Sequence, residues 1–145
     1  MTAADVHAFL NRFAHAWEEG DLVTLADCYT SDCEVVSPIF HTLHGLSQVE
    51  NSFRAAFRAF SAQTMRVDEV IVDGDNPGQA AVVWTSKVKH QGEIFGIPPT
   101  GKVFEVTIAL FLKFANGKIA REVRVYDFTK MLMEIGVMRM RGQQG

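Results

Sequence analysis

Three side chains that can exchange protons or hold charge alternate near the end of the chain: Glu122, Arg124 and Tyr126. Residues two apart on a β-strand share one face of the sheet. A carboxylate can accept a proton, a guanidinium can hold an enolate or carboxylate, and a phenol can donate a hydrogen bond. The spacing therefore predicts a group for acid/base chemistry. The structural alternative is that Glu122 and Arg124 pair with each other or lie on the outer face.

His90 is the other residue predicted to move a proton, because an imidazole can titrate near neutral pH. Its position at a strand end leaves open the alternative that it only caps a loop carbonyl. His41 and His44 are three apart in a loop with no third ligand nearby, so we expect no metal there. The two histidines are expected either to line a pocket entrance or to hold the loop. Trp17 and Trp84 are expected either to stack on a flat substrate or to pack in the core.

The elements that must position these residues are predicted from hydrophobic periodicity. Apolar residues recur at helical steps in three segments: 6–20, 21–29 and 47–60. A short extended segment is expected at 33–37. Four later segments alternate with period two and are predicted as strands: 65–72, 80–90, 103–114 and 118–126. A closing helix is predicted at 128–135. This order predicts an α+β fold with three N-terminal helices on a curved, mainly antiparallel sheet around an apolar pocket.

Length and composition limit the classes of function. A chain of 145 residues that is 48% hydrophobic and 21% charged predicts one domain, placed at 1–137, with a loose tail at 138–145. A formal net charge of -3 disfavours nucleic acid and anionic membranes as partners. The first 21 residues contain no uninterrupted apolar run, so we expect no membrane span and a cytoplasmic location. Cys28 and Cys33 are predicted to be free thiols.

The segment from His90 to Lys102 contains Gly-Ile-Pro-Pro-Thr-Gly and, with the order of elements, resembles the SnoaL-like polyketide cyclases of the nuclear-transport-factor-2-like superfamily. Further matching features are spread along the chain: Trp17 to Asp21, Tyr29 to Asp32, His44-Gly45, Asn116-Gly117-Lys118-Ile119 and Tyr126-Asp127-Phe128. The resemblance covers nearly the whole chain. It implies a cone-shaped α+β fold, a deep pocket for an apolar small molecule and a homodimer built on the sheet.

The same resemblance indicates which catalytic positions differ. The acid/base Asp of the cyclases and the water-activating Asp of the limonene-1,2-epoxide hydrolases both correspond to Arg124. The partner His of the cyclases corresponds to Leu110. For the ketosteroid isomerases, the general base corresponds to about Ser37 and the oxyanion-hole Tyr to about Phe13. None of these three mechanisms transfers directly.

The leading hypothesis is a cofactor-independent cyclase, isomerase or lyase that acts on an apolar, carbonyl-bearing or polycyclic molecule. The predicted catalytic residues are His90, Glu122, Arg124 and Tyr126. The predicted substrate contacts lie on inward faces or near the entrance: Phe13, Trp17, Ser37, His41, Trp84, Ser86, Ile108 and Leu110. No metal or cofactor is expected, and the expected partners are the small molecule and a second copy of the chain. The alternatives are a non-catalytic binding or dimerisation domain and an epoxide hydrolase-like activity.

Overall fold

The structure, a computed structural model, describes residues 1–73 and 78–138. The helices in these ranges are α1 (Ala3–Glu19), α2 (Leu22–Asp27), α3 (Leu46–Ala59) and α4 (Phe128–Glu134). The strands there are β1 (Tyr29–Val36), β2 (Leu43–His44), β3 (Phe60–Val72), β4 (Gln79–His90), β5 (Val103–Ala115) and β6 (Lys118–Val125). These strands form one sheet in the order β2-β1-β6-β5-β4-β3. Only β1 and β6 are parallel neighbours among them, so the predicted α+β class with a mainly antiparallel sheet is confirmed.

Helix α1 ends where its sequence predicts and begins at Ala3, three residues before the predicted segment. Thr2 and Asp5 each accept a hydrogen bond from the other's backbone N–H, which forms a capping box. Gly20 ends the helix at φ +66°, a left-handed conformation that glycine adopts without a steric penalty. The buried side of α1 consists of Val6, Phe9, Leu10, Phe13, Ala14 and Ala16. This side packs in one hydrophobic core with the inward side chains Trp84 and Leu110 of the sheet.

The first half of the chain differs from the prediction in its element boundaries. Helix α2 ends at Asp27 and Tyr29 begins β1, whereas the apolar spacing places Tyr29 on the helix. Tyr29 pairs with Ile119 of β6 and is buried, and this tertiary pairing outweighs the weak preference of a six-residue helix. Strand β3 begins at Phe60, directly after α3, rather than at Met65. Strands β1 and β2 also separate α3 from the first two helices.

The predicted inward face of β4 is confirmed, since Trp84, Ser86 and His90 are buried while Lys87 and Lys89 are exposed. The predicted inward face of β5 is confirmed in the same way by its alternating burial. Strand β3 shifts register against β4 at two places, and bulges of this kind bend a strand and increase its twist. The predicted turn residues 74–77 and the predicted tail beyond Met138 lie outside the described residues.

The opposite side of the sheet carries a contiguous group of apolar side chains, here called the outer apolar patch. The cross-strand register places four of its members in one row and three in the next: Ile71, Ala81, Phe111 and Val123, then Val83, Ala109 and Val125. Ile71, Phe111 and Val125 are 59%, 52% and 52% exposed. Contiguous exposed apolar surface of this kind marks an interaction site more often than an ordinary surface.

Candidate functional site

A cavity of about 110 Å³ lies between the helices and the inward face of the sheet. Its wall contains many aromatic and aliphatic side chains, among them Phe57, Phe60, Met65, Val88, Val106 and Met131. Polar groups on the wall come from Ser86, Arg124 and Tyr126. The Ser86 hydroxyl donates a hydrogen bond to the backbone oxygen of Thr64 at 3.1 Å. Arg124 and Tyr126 are therefore the wall residues with the greatest capacity to hold a polar ligand atom.

Arg124 is held in place by two residues that do not line the cavity. Its Nε donates a hydrogen bond to Oε2 of Glu122, and the Tyr29 hydroxyl donates to Oε1 of the same carboxylate at 2.9 Å. Nη2 of Arg124 lies 3.5 Å from the Tyr29 oxygen. Glu122 has no exposed surface and Arg124 is 6% exposed. The three side chains form a buried network in which both carboxylate oxygens of Glu122 are occupied.

The charges of this network favour a permanent ion pair. Burial by itself would lower the pKa of Arg124, but the charge of Glu122 and the hydrogen bonds of the network outweigh burial and raise that pKa. Burial and the negative charge of Glu122 raise the pKa of Tyr29 well above its ordinary value. Arg124 is therefore a cation at neutral pH, and Tyr29 stays protonated as a hydrogen-bond donor.

Two neighbouring aromatic rings pack against the guanidinium of Arg124. Its Cζ lies 5.0 Å from the ring centroid of Trp17 and 5.1 Å from that of Phe53, which are cation–π distances. Within the described part of the chain, Nη1 of Arg124 makes no hydrogen bond. The indole N–H of Trp17, another wall residue, is buried without a partner among the described residues. A ligand oxygen in the cavity would give such donors an acceptor.

Tyr126 supplies the second hydroxyl at the site. Its oxygen lies 3.5 Å from the Ser37 hydroxyl. Burial raises the pKa of Tyr126, while the Ser37 hydrogen bond and the positive charge of Arg124 oppose the rise. The phenol therefore remains protonated at neutral pH and can donate to a ligand.

His90 is buried at the end of β4 but does not line the cavity. Its Nδ1 accepts a hydrogen bond from the backbone N–H of Thr100 at 3.3 Å, and the Thr100 hydroxyl lies 3.0 Å from the same nitrogen. The ring also packs 5.4 Å from that of Phe60. These contacts join the segment that follows β4 to the strand. They differ from the predicted capping of a loop carbonyl, because Nδ1 accepts from a loop N–H and Nε2 is buried without a partner among the described residues.

The structure brings together only part of the predicted site. The predicted residues that line the cavity are Trp17, Trp84, Ser86, Ile108, Arg124 and Tyr126. Glu122 lies on the same strand face as Arg124 but behind it, and Ser37 does not line the cavity, although its hydroxyl lies 3.5 Å from that of Tyr126. Phe13 and Leu110 are fully buried in the core beneath the wall, because α1 packs directly against β4 and β5 there. His41 is exposed in the irregular segment between β1 and β2, off the wall.

Tyr29 is a member of the buried network around Arg124 that the sequence pattern did not predict. Its spacing from Leu22, Leu25 and Ala26 matches a helical stripe, so nothing local indicates that its hydroxyl reaches Glu122. The parallel pairing of β1 with β6 creates this contact across 93 positions of the chain. Phe57 and Phe60 line the cavity. Their helical spacing within 47–60 predicts only an apolar helix face, and it does not distinguish a cavity wall from a core.

Within residues 1–73 and 78–138, no three His, Cys, Asp or Glu side chains are grouped in a way that would hold a metal ion. None of the helices in these ranges combines the length and apolar character that are needed to cross a membrane.

Comparisons with known proteins give one family and a consistent fold. A sequence-family model described as SnoaL-like polyketide cyclase matches residues 7–135. A search of curated protein sequences found no match. Among solved structures, TsrD from Streptomyces laurentii is similar with a TM-score of 0.79 and 22% identity, over 95% of this chain and 99% of that one.

Two other structural relatives are a protein with a ketosteroid isomerase-like fold from Catenulispora acidiphila and an LEH-like epoxide hydrolase from M. tuberculosis. The first has a TM-score of 0.73 and 14% identity, over 90% of this chain and 93% of its own. The second has a TM-score of 0.70 and 11% identity, over 91% and 90%. This structural similarity shows that the chain shares the fold of these proteins, which is the nuclear-transport-factor-2-like fold predicted from the sequence. At identities this low, their activities do not transfer to this chain.

Proposed function

Because the chain belongs to the SnoaL-like polyketide cyclase family, we propose that it is a cofactor-independent enzyme for an apolar, carbonyl-bearing small molecule. Its proposed catalytic contribution is electrostatic. Arg124 and Tyr126 donate hydrogen bonds to the substrate's oxygen and stabilise the negative charge that develops there. Cyclisation, isomerisation and lyase reactions that pass through an enolate all build such a charge.

The observation that carries this proposal is the pairing of an apolar wall with two fixed donors. The hydrocarbon surface holds the body of the molecule, and the guanidinium and phenol are the two donors to which we assign its oxygen. The fixed donors need little reorganisation as charge develops, because Glu122, Tyr29 and Trp17 already hold Arg124. In this proposal Glu122 acts as the counter-ion of Arg124, and the proton-transfer roles of Glu122 and His90 stay predictions.

Deuterium exchange at the α-carbon of cyclohexanone tests the proposal, with phosphate buffer in D₂O supplying the base. The protein is expected to accelerate exchange saturably. The double variant Glu122→Gln/Arg124→Met removes the guanidinium without leaving a buried charge, and we expect it to slow exchange by roughly a hundredfold. Arg121→Met, which removes an exposed arginine from the same strand, serves as the control. Equal rates in the double variant and the control would contradict the proposal.

A non-catalytic binding protein is the second candidate, and one observation favours it. Among the described residues of the wall, no carboxylate or imidazole is available to accept a proton. Both tryptophans of the chain, Trp17 and Trp84, line the cavity, so their fluorescence reports occupancy directly. A fluorescence change that saturates with cyclohexanone, without any acceleration of exchange, would favour this second function.

The proposal includes a homodimer that forms through the outer apolar patch. Phe111 and Val125 on this patch are more than half exposed, and a second copy of the same face would cover them.

The proposal also includes the cytoplasm as the location. Cys28 and Cys33 are free in the structure, as thiols are in a reducing compartment.

A further inference from the structure

We propose that the cavity selects a molecule whose oxygen is uncharged and discriminates against carboxylates, because the cation on its wall is already neutralised from behind. This inference rests on the proposed function, in which Arg124 is the oxygen-binding group. It narrows the substrate class to ketones, aldehydes, amides and alcohols, with organic acids as the disfavoured class.

The formal charges at the site add to zero before any ligand enters. Glu122 contributes one negative charge and Arg124 one positive charge, and the two side chains are joined by a hydrogen bond in a buried position. Tyr29 and Tyr126 remain neutral, since burial keeps both phenols protonated. Among the described residues of the wall, Arg124 is the one with a formal charge. An anionic ligand would therefore give the site a net negative charge.

A carboxylate loses its hydration when it enters an apolar cavity, and that cost is large unless an opposite charge compensates it. Here the attraction of Arg124 is opposed by repulsion from Glu122, whose charge acts over a short distance in a weakly polarisable surrounding. A carbonyl oxygen has no full charge to desolvate on entry, and the charge of an enolate develops inside the cavity, beside donors that are already in place. It needs only donors, which Nη1 of Arg124 and the hydroxyl of Tyr126 provide.

Cavity size determines the probes. An engineered cavity of roughly 150 Å³ holds benzene, and the cavity of about 110 Å³ is of the same order, so single-ring compounds are suitable probes. Benzamide and benzoate have nearly the same size and planar shape and differ in charge. Their relative affinity therefore isolates the electrostatic preference of the site.

The test is a titration of the protein with each probe at neutral pH, followed by tryptophan fluorescence and isothermal titration calorimetry. For the wild type we expect a Kd for benzamide at least about tenfold lower than that for benzoate. In Glu122→Gln, Arg124 loses its counter-ion, so benzoate should bind relatively more tightly. The ratio of the benzoate Kd to the benzamide Kd should therefore fall by about tenfold or more. Glu105→Gln is the matched control, because it removes one negative charge from an exposed position of β5 and should leave the ratio unchanged.

Each outcome separates this inference from the function on which it rests. If benzoate binds the wild type as tightly as benzamide, and the Glu122→Gln/Arg124→Met variant weakens both, the selectivity is overturned while the oxygen-binding role of Arg124 stands. If neither probe changes the fluorescence, or if the double variant binds both unchanged, the proposed function itself fails. Where Glu122→Gln does not fold, the ratio measured for the wild type decides the inference alone.

Discussion

At position 124 an arginine stands where the resemblance to the cyclases implies an aspartate. A guanidinium cannot accept a proton at neutral pH, so Arg124 can stabilise negative charge but cannot act as a base. A buried guanidinium requires a counter-ion, and Glu122 supplies it two residues earlier on the same strand face. The hydrogen bond from Tyr29 then satisfies the second oxygen of that carboxylate.

The residue scale gives a stability prediction for this pair. Arg124→Met should lower the free energy of unfolding by about 3–5 kcal/mol, because it leaves the carboxylate of Glu122 buried without its partner. The double variant Glu122→Gln/Arg124→Met should recover more than half of that loss. Arg121→Met, at an exposed ion pair with Glu34, should change stability by about 1 kcal/mol or less. Urea denaturation measures all three, and a single variant as stable as the double would show that Glu122 does not depend on Arg124.

The two thiols give a second prediction at this scale. Burial raises the pKa of Cys28 from its ordinary value of 9.0 to about 11 and also raises that of Cys33. Both thiols should therefore react with a disulfide reagent at pH 8 much more slowly in the folded protein than in urea.

The same shift at Cys28 predicts how stability depends on pH. Because the thiol ionises at a lower pH in the unfolded chain than in the folded one, its contribution is complete below about pH 9 and is lost as the pH rises toward 11. Urea midpoints measured from pH 8 to pH 11 should fall across this window, and should fall less in Cys28→Ala. A wild-type midpoint that does not change would contradict the burial argument.

At the scale of elements, strand β6 builds the site and strand β1 completes it. Alternation along β6 directs Glu122 and Arg124 to the buried face, while Arg121 and Val125 are exposed. The parallel pairing of β1 brings Tyr29 against this face. The segment after β4 is attached to the end of α3 by backbone hydrogen bonds from residues 91 and 92 to Ala59.

Gly92 permits this attachment, and its substitution is the prediction at the element scale. A Cβ at this position would lie 2.1 Å from the backbone oxygen of Arg58, a distance that requires the backbone to move. Gly92→Ala should lower the free energy of unfolding by at least about 1–3 kcal/mol. Gln91→Ala, one residue earlier at an exposed side chain, should change it by about 0.5 kcal/mol or less. Thermal and urea denaturation of both variants measure the difference, and equal stabilities would contradict a close approach at Gly92.

For the whole molecule, the sheet separates two apolar surfaces with different roles. The inward face is covered by α1, α3 and α4, and the cavity lies between these helices and the sheet. The outer apolar patch is uncovered in the single chain, and three polar or charged neighbours limit its extent: Thr107, Lys113 and Arg121. An apolar area bounded in this way fits the proposed contact between two copies.

Sedimentation measurements test the prediction of a dimer at the molecular scale. The wild type should sediment as a dimer, and Phe111→Glu should shift it toward the monomer, because the substitution places a charge at the centre of the patch. Val23→Glu introduces the same charge at a position of α2 that is 83% exposed and should leave the dimer intact. A wild-type monomer, or a Phe111→Glu dimer of unchanged stability, would contradict the proposed interface.

The sequence by itself determined the fold class, the family and the inward faces of β4 and β5. Periodicity of two along these strands reports burial directly, because one side of each strand faces the core. Along β6 the same period gave the face that Glu122, Arg124 and Tyr126 share, but not whether that face is the inward one. Gly20 and the Asp21 cap are equally local signals, and they located the end of α1 and the start of α2.

Only the tertiary structure decided which of these residues reach the cavity and what holds them there. The pairing of β1 with β6 depends on a contact between distant segments, so no local pattern distinguished Tyr29 from a helical residue. Whether Phe13 and Leu110 form the wall or the core depends on how closely α1 packs against the sheet. The alternation of Glu122 and Arg124 likewise gave their shared face, whereas the place of one behind the other followed from the packing of side chains around them.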